Sequence, residues 1–404
     1  MFMGLIKNET IKLFSKSKTY IIILLFLALS AMIAFIAHDT EKYYLQSMDP
    51  EFRVEQLEEE IGYAEDNIRY INEDKDLSEE DRASEIRHME TYLADLQADL
   101  ARAKDVLQKG EAYDWRTGAR SKLETYKQQL ADSPDEESRS YFESEITLLE
   151  YHLEKDIDPE LSQRNNGLNY LRLSLMVILS GFLAFGLILF AADIMSGEYN
   201  PGTLKFLLIQ PVTRIKVLVS KYLVTTLSAI LLIVGSQLVF VLIIGLVKGF
   251  GSLDYPVLMG QSFQRVVRDG VTSVVPLAGT GSYETLSRFL LQGLALEILF
   301  IAAMVAFINM ISVISKSSVM AFTVLIGTLL GTNIVYSLSS AYRRLSPYIF
   351  LHHTNVEGIL SGSIMQETGA LNFTFPLSVM VLLVTTGIFL TISMIIFKKR
   401  DVLI

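Results

Sequence analysis

Cysteine is absent from all 404 residues, which excludes a disulfide framework and any thiolate metal site. There is no G-x-x-x-x-G-K-[ST] phosphate loop, so the chain does not bind ATP in the P-loop manner. The H-E-x-x-H and G-x-S-x-G patterns are missing too. Five histidines are scattered along the chain, and only His352 and His353 are neighbours. Adjacent residues point in different directions on a helix or a strand, and no further ligands lie near these two. The expectation is a chain with no catalytic residues, no metal site and no cofactor of its own.

What is present is apolar length. Half the residues are hydrophobic and the mean hydropathy is +0.36. Six runs, at about 19–37, 168–192, 222–247, 289–313, 318–338 and 376–397, are long enough to cross a bilayer core, which takes about 20 helical residues. Charge divides along the chain as sharply as hydropathy. Residues 38–167 hold 35 Asp and Glu against 16 Lys and Arg, a net of −19, whereas the rest has a net of +9. The sequence therefore predicts three parts: a lead helix and first span over 1–37, an acidic module over 38–167, and a five-span domain over 168–404.

Lys7, Lys12, Lys16 and Lys18 precede the first span, and Lys398, Lys399 and Arg400 follow the last. Basic flanks stay cytoplasmic, so both termini are expected inside, and six spans satisfy that parity. The segments 38–167, 248–288 and 339–375 then fall outside, and 193–221 falls inside. Arg343 and Arg344 run against this rule. Leu5, Ile6, Leu13 and Phe14 share one face of a helix over 4–18, which predicts an amphipathic helix in the inner interface.

The acidic module reads as helical. Val54, Leu57, Ile61, Ala64, Ile68 and Ile71 alternate spacings of three and four, as do Ile86, Met89, Leu93, Leu96, Leu100, Ala103 and Leu107. Such seams suit coiled-coil packing. A third helix is expected near 119–131. A fourth begins at Ser133-Pro134-Asp135-Glu136, where a cap, a proline and acids meet the positive helix end. The fold class expected is an all-α membrane protein of six transmembrane helices, with a helical, coiled-coil-like extracellular insertion between the first and second spans. The stretch 248–288 shows no clear fold, and 339–375 holds apolar pieces too short to span.

The segment between the second and third spans is DIMSGEYNPGTLKFLLIQPVTRIKVLVSK, residues 193–221. It is punctuated at Pro201-Gly202, offers a short helix-like run from Thr203 to Gln210, breaks at Pro211 and turns basic. This resembles the first cytoplasmic loop of ABC-2-type transporter permeases, membrane subunits of bacterial ABC exporters, with a pattern of roughly E-x(3)-GTL-x(n)-P-x-x-R-x(n)-K. The matching positions are Glu198, Gly202, Thr203, Leu204, Pro211, Arg214 and Lys221. The basic lead helix, the six spans and the terminal Phe397 to Asp401 fit as well; the large acidic insertion is a departure that leaves the cargo open.

The resemblance implies a multi-pass permease of a bacterial plasma membrane, with 199–210 as a coupling helix seated on a separate ATPase. ATP and Mg would lie on two copies of that ATPase, and a second permease copy or a paralogue would complete the assembly. Arg214, Lys216 and Lys221 would pair with ATPase acids or simply set orientation. The bilayer, and an extracellular protein meeting the insertion, are the other partners, with no nucleic acid. The cargo class implied is amphiphilic: a peptide antibiotic, lipid or lipid-linked precursor. Relay of ATPase motion to an outer partner, or sodium efflux, are the competing readings.

Glu297 lies within the fourth span, where a charge costs on the order of 3 kcal/mol, so it should face protein or water. Arg172 is a candidate partner from the second span, and Gln237 and Asn309 are candidate hydrogen-bonding neighbours.

Overall fold

A computed structural model describes residues 2–47, 49–73, 115–132, 136–198, 213–268, 271–277 and 279–399, with scattered positions from 82 to 108. The chain divides into two compact units, Ile36–Ala119 and the remainder. Residues 120–167, read with the acidic module from charge, therefore group with the apolar helices.

In the larger unit, helix α1 (Phe2–Phe14) leads into α2 (Ser17–Ser47), whose length carries it on into the smaller one. Among the described residues, six helices are long and apolar enough to cross a membrane, at the six places expected. The first is α2. The second starts at α6 (Gly167–Val177), passes one π-helical turn at Ile178–Phe182, and continues as α7 (Leu183–Ala191). The others are α8 (Arg214–Lys248), α9 (Leu286–Ile314), α10 (Ser318–Leu338) and α14 (Phe375–Lys399). Local chemistry starts several of them. Asn166 accepts from the Asn169 amide at 2.9 Å and Ser317 from that of Met320 at 3.2 Å, each satisfying an orphan donor of a first turn.

Helix α9 is the axis of the bundle. Of its most apolar stretch 61% is buried, against 11% for α10 and 17% for α14. The core joins Phe26, Ile33, Tyr170, Leu175, Leu187, Phe289, Phe300 and Met304. At Gly186 a side chain would run into the ring of Phe26, so the missing Cβ lets α7 approach α2 closely.

The smaller unit contains α3 (Pro50–Glu73). Its seam meets the second predicted seam: Leu57, Ala64 and Leu96 are buried together, with Ile61, Met89, Leu93, Leu100 and Ala103 against them. Lys104 pairs with Glu58 at 2.7 Å. Helix α4 (Trp115–Asp132) runs from the smaller unit into the larger, where it meets α5 (Glu136–Lys155) through Tyr126 and Phe142 and through Lys127 and Glu150. The cap expected at Ser133-Pro134 lies outside the described residues.

Residues 256–285 depart from the all-α expectation. Strands β1 (Pro256–Met259) and β4 (Ser282–Thr285) pair antiparallel, as do β2 (Phe263–Arg268) and β3 (Val271–Pro276). The register sets Val257 against Glu284 and Val266 against Ser273. Valines at six positions and glycine-punctuated turns favour strand there, and the pieces are too short for a 3.6-residue period to declare itself. Residues 339–375 form short helices α11 (Ser340–Leu345), α12 (Val356–Ser361) and α13 (Ile364–Thr368).

Contacts sort the larger unit's connecting segments to two ends of the bundle. At one, Tyr151 reaches the Asp254 carbonyl, Ser144 meets Tyr283, and Arg265 donates to the Gly369 carbonyl. At the other lie α1, residues 193–198, the start of α8 and the end of α14.

Candidate functional site

The signature segment begins where the second span ends, in a tight turn from Asp193 to Glu198. Its backbone closes on itself: the Gly197 amide donates to the Asp193 carbonyl at 3.0 Å and that of Glu198 to Met195 at 3.1 Å. The turn is also held from outside. Ser312, near the end of α9, accepts from the amides of Met195 (3.0 Å) and Ser196 (2.9 Å) and donates to the Ala192 carbonyl (2.9 Å). One hydroxyl thus satisfies two buried amides of the turn and a carbonyl that the end of α7 would leave orphaned. Beneath it, Met195 packs with Leu218 of α8, Val313 of α9 and Phe397 of α14.

Charge ties the same turn to the lead helix. Asp193 takes Lys16 at 3.0 Å and also pairs with Lys18. Glu198 takes Lys221 at 2.8 Å and Lys12 at 3.3 Å, and Lys221 reaches Glu9 at 2.8 Å. Lys221 is only 4% exposed, and Glu9 and Glu198 are buried. An ammonium taken this far from water needs both carboxylates to offset desolvation. A cavity of about 260 Å³ lies among Glu9, Lys12, Lys16, Asp193, Glu198 and Lys221.

The first and last residues of the expected motif, Glu198 and Lys221, are therefore bonded to each other. Lys221 is occupied within the chain, by Glu9 and Glu198. Arg214 points its guanidinium at the Phe397 carbonyl (3.3 Å), where the last span ends and carbonyls carry partial negative charge. Gly202, Thr203, Leu204 and Pro211 lie outside the described residues, as does the helix expected over 203–210.

Reading the sequence missed Glu9, Asp193 and Ser312. Glu9 had a signal: it is the sole acid among the first 38 residues, set between lysines. Ser312, one of several serines near a span end, had none.

A second polar group lies inside the bundle. Glu297 is fully buried, and Gln237 donates to it at 2.8 Å. Arg172 instead pairs with Glu357 at 2.6 Å and lies 5.3 Å from the Phe289 ring centre, so the expected Arg172–Glu297 pair is replaced. The reason is lateral: Glu357 on α12 stands beside α6, whereas Glu297 faces α8. Asn309 lies 12 residues beyond Glu297 on α9, some 18 Å along the axis, too far to join it. Ser30 links Ser236 (3.3 Å) and receives Tyr170 on its carbonyl (3.2 Å), extending polar contacts across α2, α6 and α8.

His352 and His353 diverge. His352 stacks on Tyr336, with ring centres 4.6 Å apart. His353 packs edge-on against Phe373, is fully enclosed, and burial pushes its pKa down to about 4. Among the described residues no group of three His, Asp or Glu is placed to hold a metal ion.

An uncharacterized protein of Bacillus subtilis strain 168, YhcI, is 27% identical over 140 residues, which is 32% of this chain and 41% of that protein. The chain thus matches about two fifths of the length of that curated relative. The family described as ABC-2 family transporter protein matches residues 3–402, from the lead helix through the last span. With this match over nearly its whole length, the chain belongs to the ABC-2 transporter family, as a membrane component of an ABC transporter.

Proposed function

We propose that this chain is the permease subunit of an ATP-driven exporter of amphiphilic cargo, in the plasma membrane of a bacterium. It works as a dimer with two ATPase subunits, with both termini cytoplasmic. The docking element for the ATPase lies between the turn and α8, with 199–210 as the coupling helix, and the acidic helical insertion projects on the outer side.

One observation carries this reading. The turn Asp193–Glu198, from which the docking loop departs, is bonded or packed to α1, α2, α8, α9 and α14 at once. A push delivered to the loop thus reaches five helices through short, mostly buried contacts, as a rigid-body relay requires. The lead helix, the link after it and the first turn of α2 join the relay through Glu9, Lys12, Lys16 and Lys18. This supports a subunit built to be moved by a partner, and the family supplies the partner's class, an ABC ATPase.

The test is copurification from native membranes in mild detergent, comparing wild type with a Gly202→Pro and Leu204→Asp double variant. An ATPase that accompanies wild type and is lost from the variant is the expected result. Wild type that brings down no nucleotide-binding chain in several mild detergents would overturn the reading.

A further inference from the structure

At the end of the bundle away from the lysine-rich turn lies a second cavity, of about 280 Å³, bounded by the β1–β4 pair, α12, α13 and the first turns of α9 and α14. Apolar Met259, Leu360 and Phe375 line it together with polar Glu284, Arg288 and Gln292. The enclosure is built rather than incidental. The amides of Gly260 and Gln261 donate to the carbonyls of Leu360 and Ser361, each at 2.8 Å, closing β1 onto α12. Gly362 permits that approach, since any side chain there would land on the Gln261 carbonyl.

Arg288 is the third residue of α9 and Phe375 the first of α14. Both helices are long and apolar enough to span, so the cavity sits where a span ends, at headgroup level. Further in on the same helices, Leu291, Met380, Leu383 and Val384 are more than half exposed, an apolar surface for acyl chains. Arg288 and Glu284 pair at 2.6 Å with side chains 54% and 31% exposed. A pair so open to water contributes little, so a ligand bearing both charges separates it at small cost. Each half then gains a charge-assisted bond: a guanidinium takes a phosphate in a fork, and a carboxylate takes a primary ammonium.

We propose that this cavity binds the phosphoethanolamine headgroup of a membrane phospholipid, with Arg288 on the phosphate and Glu284 on the ammonium. The site is separate from the ATP-driven relay, and the lipid it holds need not be the cargo.

The full chain in mixed micelles, offered equal phosphatidylethanolamine and phosphatidylglycerol, is examined by native mass spectrometry. Wild type should retain the ethanolamine lipid preferentially. Arg288→Gln should lower retention of both lipids about tenfold, the effect of one charge-assisted bond. Glu284→Gln should erase the preference alone. N-acetylated phosphatidylethanolamine, which keeps the phosphate but lacks the ammonium, should fall to the phosphatidylglycerol level on unaltered protein. That arm does not depend on any variant folding. Equal retention of all three lipids by wild type, or ethanolamine-lipid adducts undiminished in Arg288→Gln, would overturn the proposal.

Discussion

Lys221→Met separates charge from packing at the polar turn, because methionine keeps a long unbranched stem and removes only the ammonium. In the native chain that ammonium holds Glu9 and Glu198 at 2.8 Å each, with side chains 8% and 11% exposed. Removing one member of a buried pair strands the other charge, at a cost of roughly 3–5 kcal/mol. Lys12 stays 3.3 Å from Glu198, so that carboxylate keeps one cation and the expected loss is at the lower end, about 3 kcal/mol. The penalty arises from stranded carboxylates, not from lost volume. Replacing Glu9 as well, in Glu9→Gln with Lys221→Met, should therefore recover part of it. Thermal unfolding followed by circular dichroism, in one detergent at fixed protein concentration, ranks these two variants and Glu9→Gln alone. The double variant should melt above Lys221→Met. If it melts lower, by the separate cost of Glu9→Gln, the two sites are independent and the buried triad is not the stabilising unit.

Two further outcomes follow from the other end of the bundle. His353 is neutral when buried, with a folded pKa of about 4 against about 6.5 when unfolded. Its depressed value gives stability that is whole above pH 6.5 and lost as pH falls towards 4, roughly 3 kcal/mol in all. The melting temperature of wild type should drop over that window more steeply than that of His353→Asn, and parallel pH profiles would refute it. Gly362 has φ +97° and faces the Gln261 carbonyl, so Gly362→Ala should break the Gly260–Leu360 and Gln261–Ser361 bonds. Hydrogen exchange across 256–262 should then rise well above wild type, and unchanged protection would show that the backbone accommodates the methyl.

The spans were legible because 20 or more apolar residues leave the chain few alternatives in a bilayer. The two acidic seams were legible because a period of 3.6 persists over several turns in each. Strands β1 to β4 were not, since four to six residues hold too few periods to distinguish strand from loop. The partner of Arg172 was misread for a related reason. Depth along a span follows from the rise per residue, but rotation about the helix axis does not, and it is rotation that turns Arg172 to Glu357 and Glu297 to Gln237. At the polar turn, the motif disclosed Glu198 and Lys221 but not that they bond. Their contact joins residues 23 positions apart in the chain, which no local period reports.

That closure occupies the motif's charged residues within the chain. Lys221 and Glu198 neutralise each other beneath the lead helix, and Arg214 is turned to the last carbonyls of α14. The two ends of the segment are thus held by the permease itself, as a clamp on the turn and the start of α8. Under the proposed mechanism, recognition of the ATPase falls to the residues between, 199–212, with Leu204 and its neighbours as the contact surface. Charge reversal at Lys221 should then damage the stability of the chain. Substitution at Leu204 should leave stability alone and release the partner. The two effects are separable because the clamp is buried and mainly electrostatic, whereas the docking loop must remain accessible to a second protein.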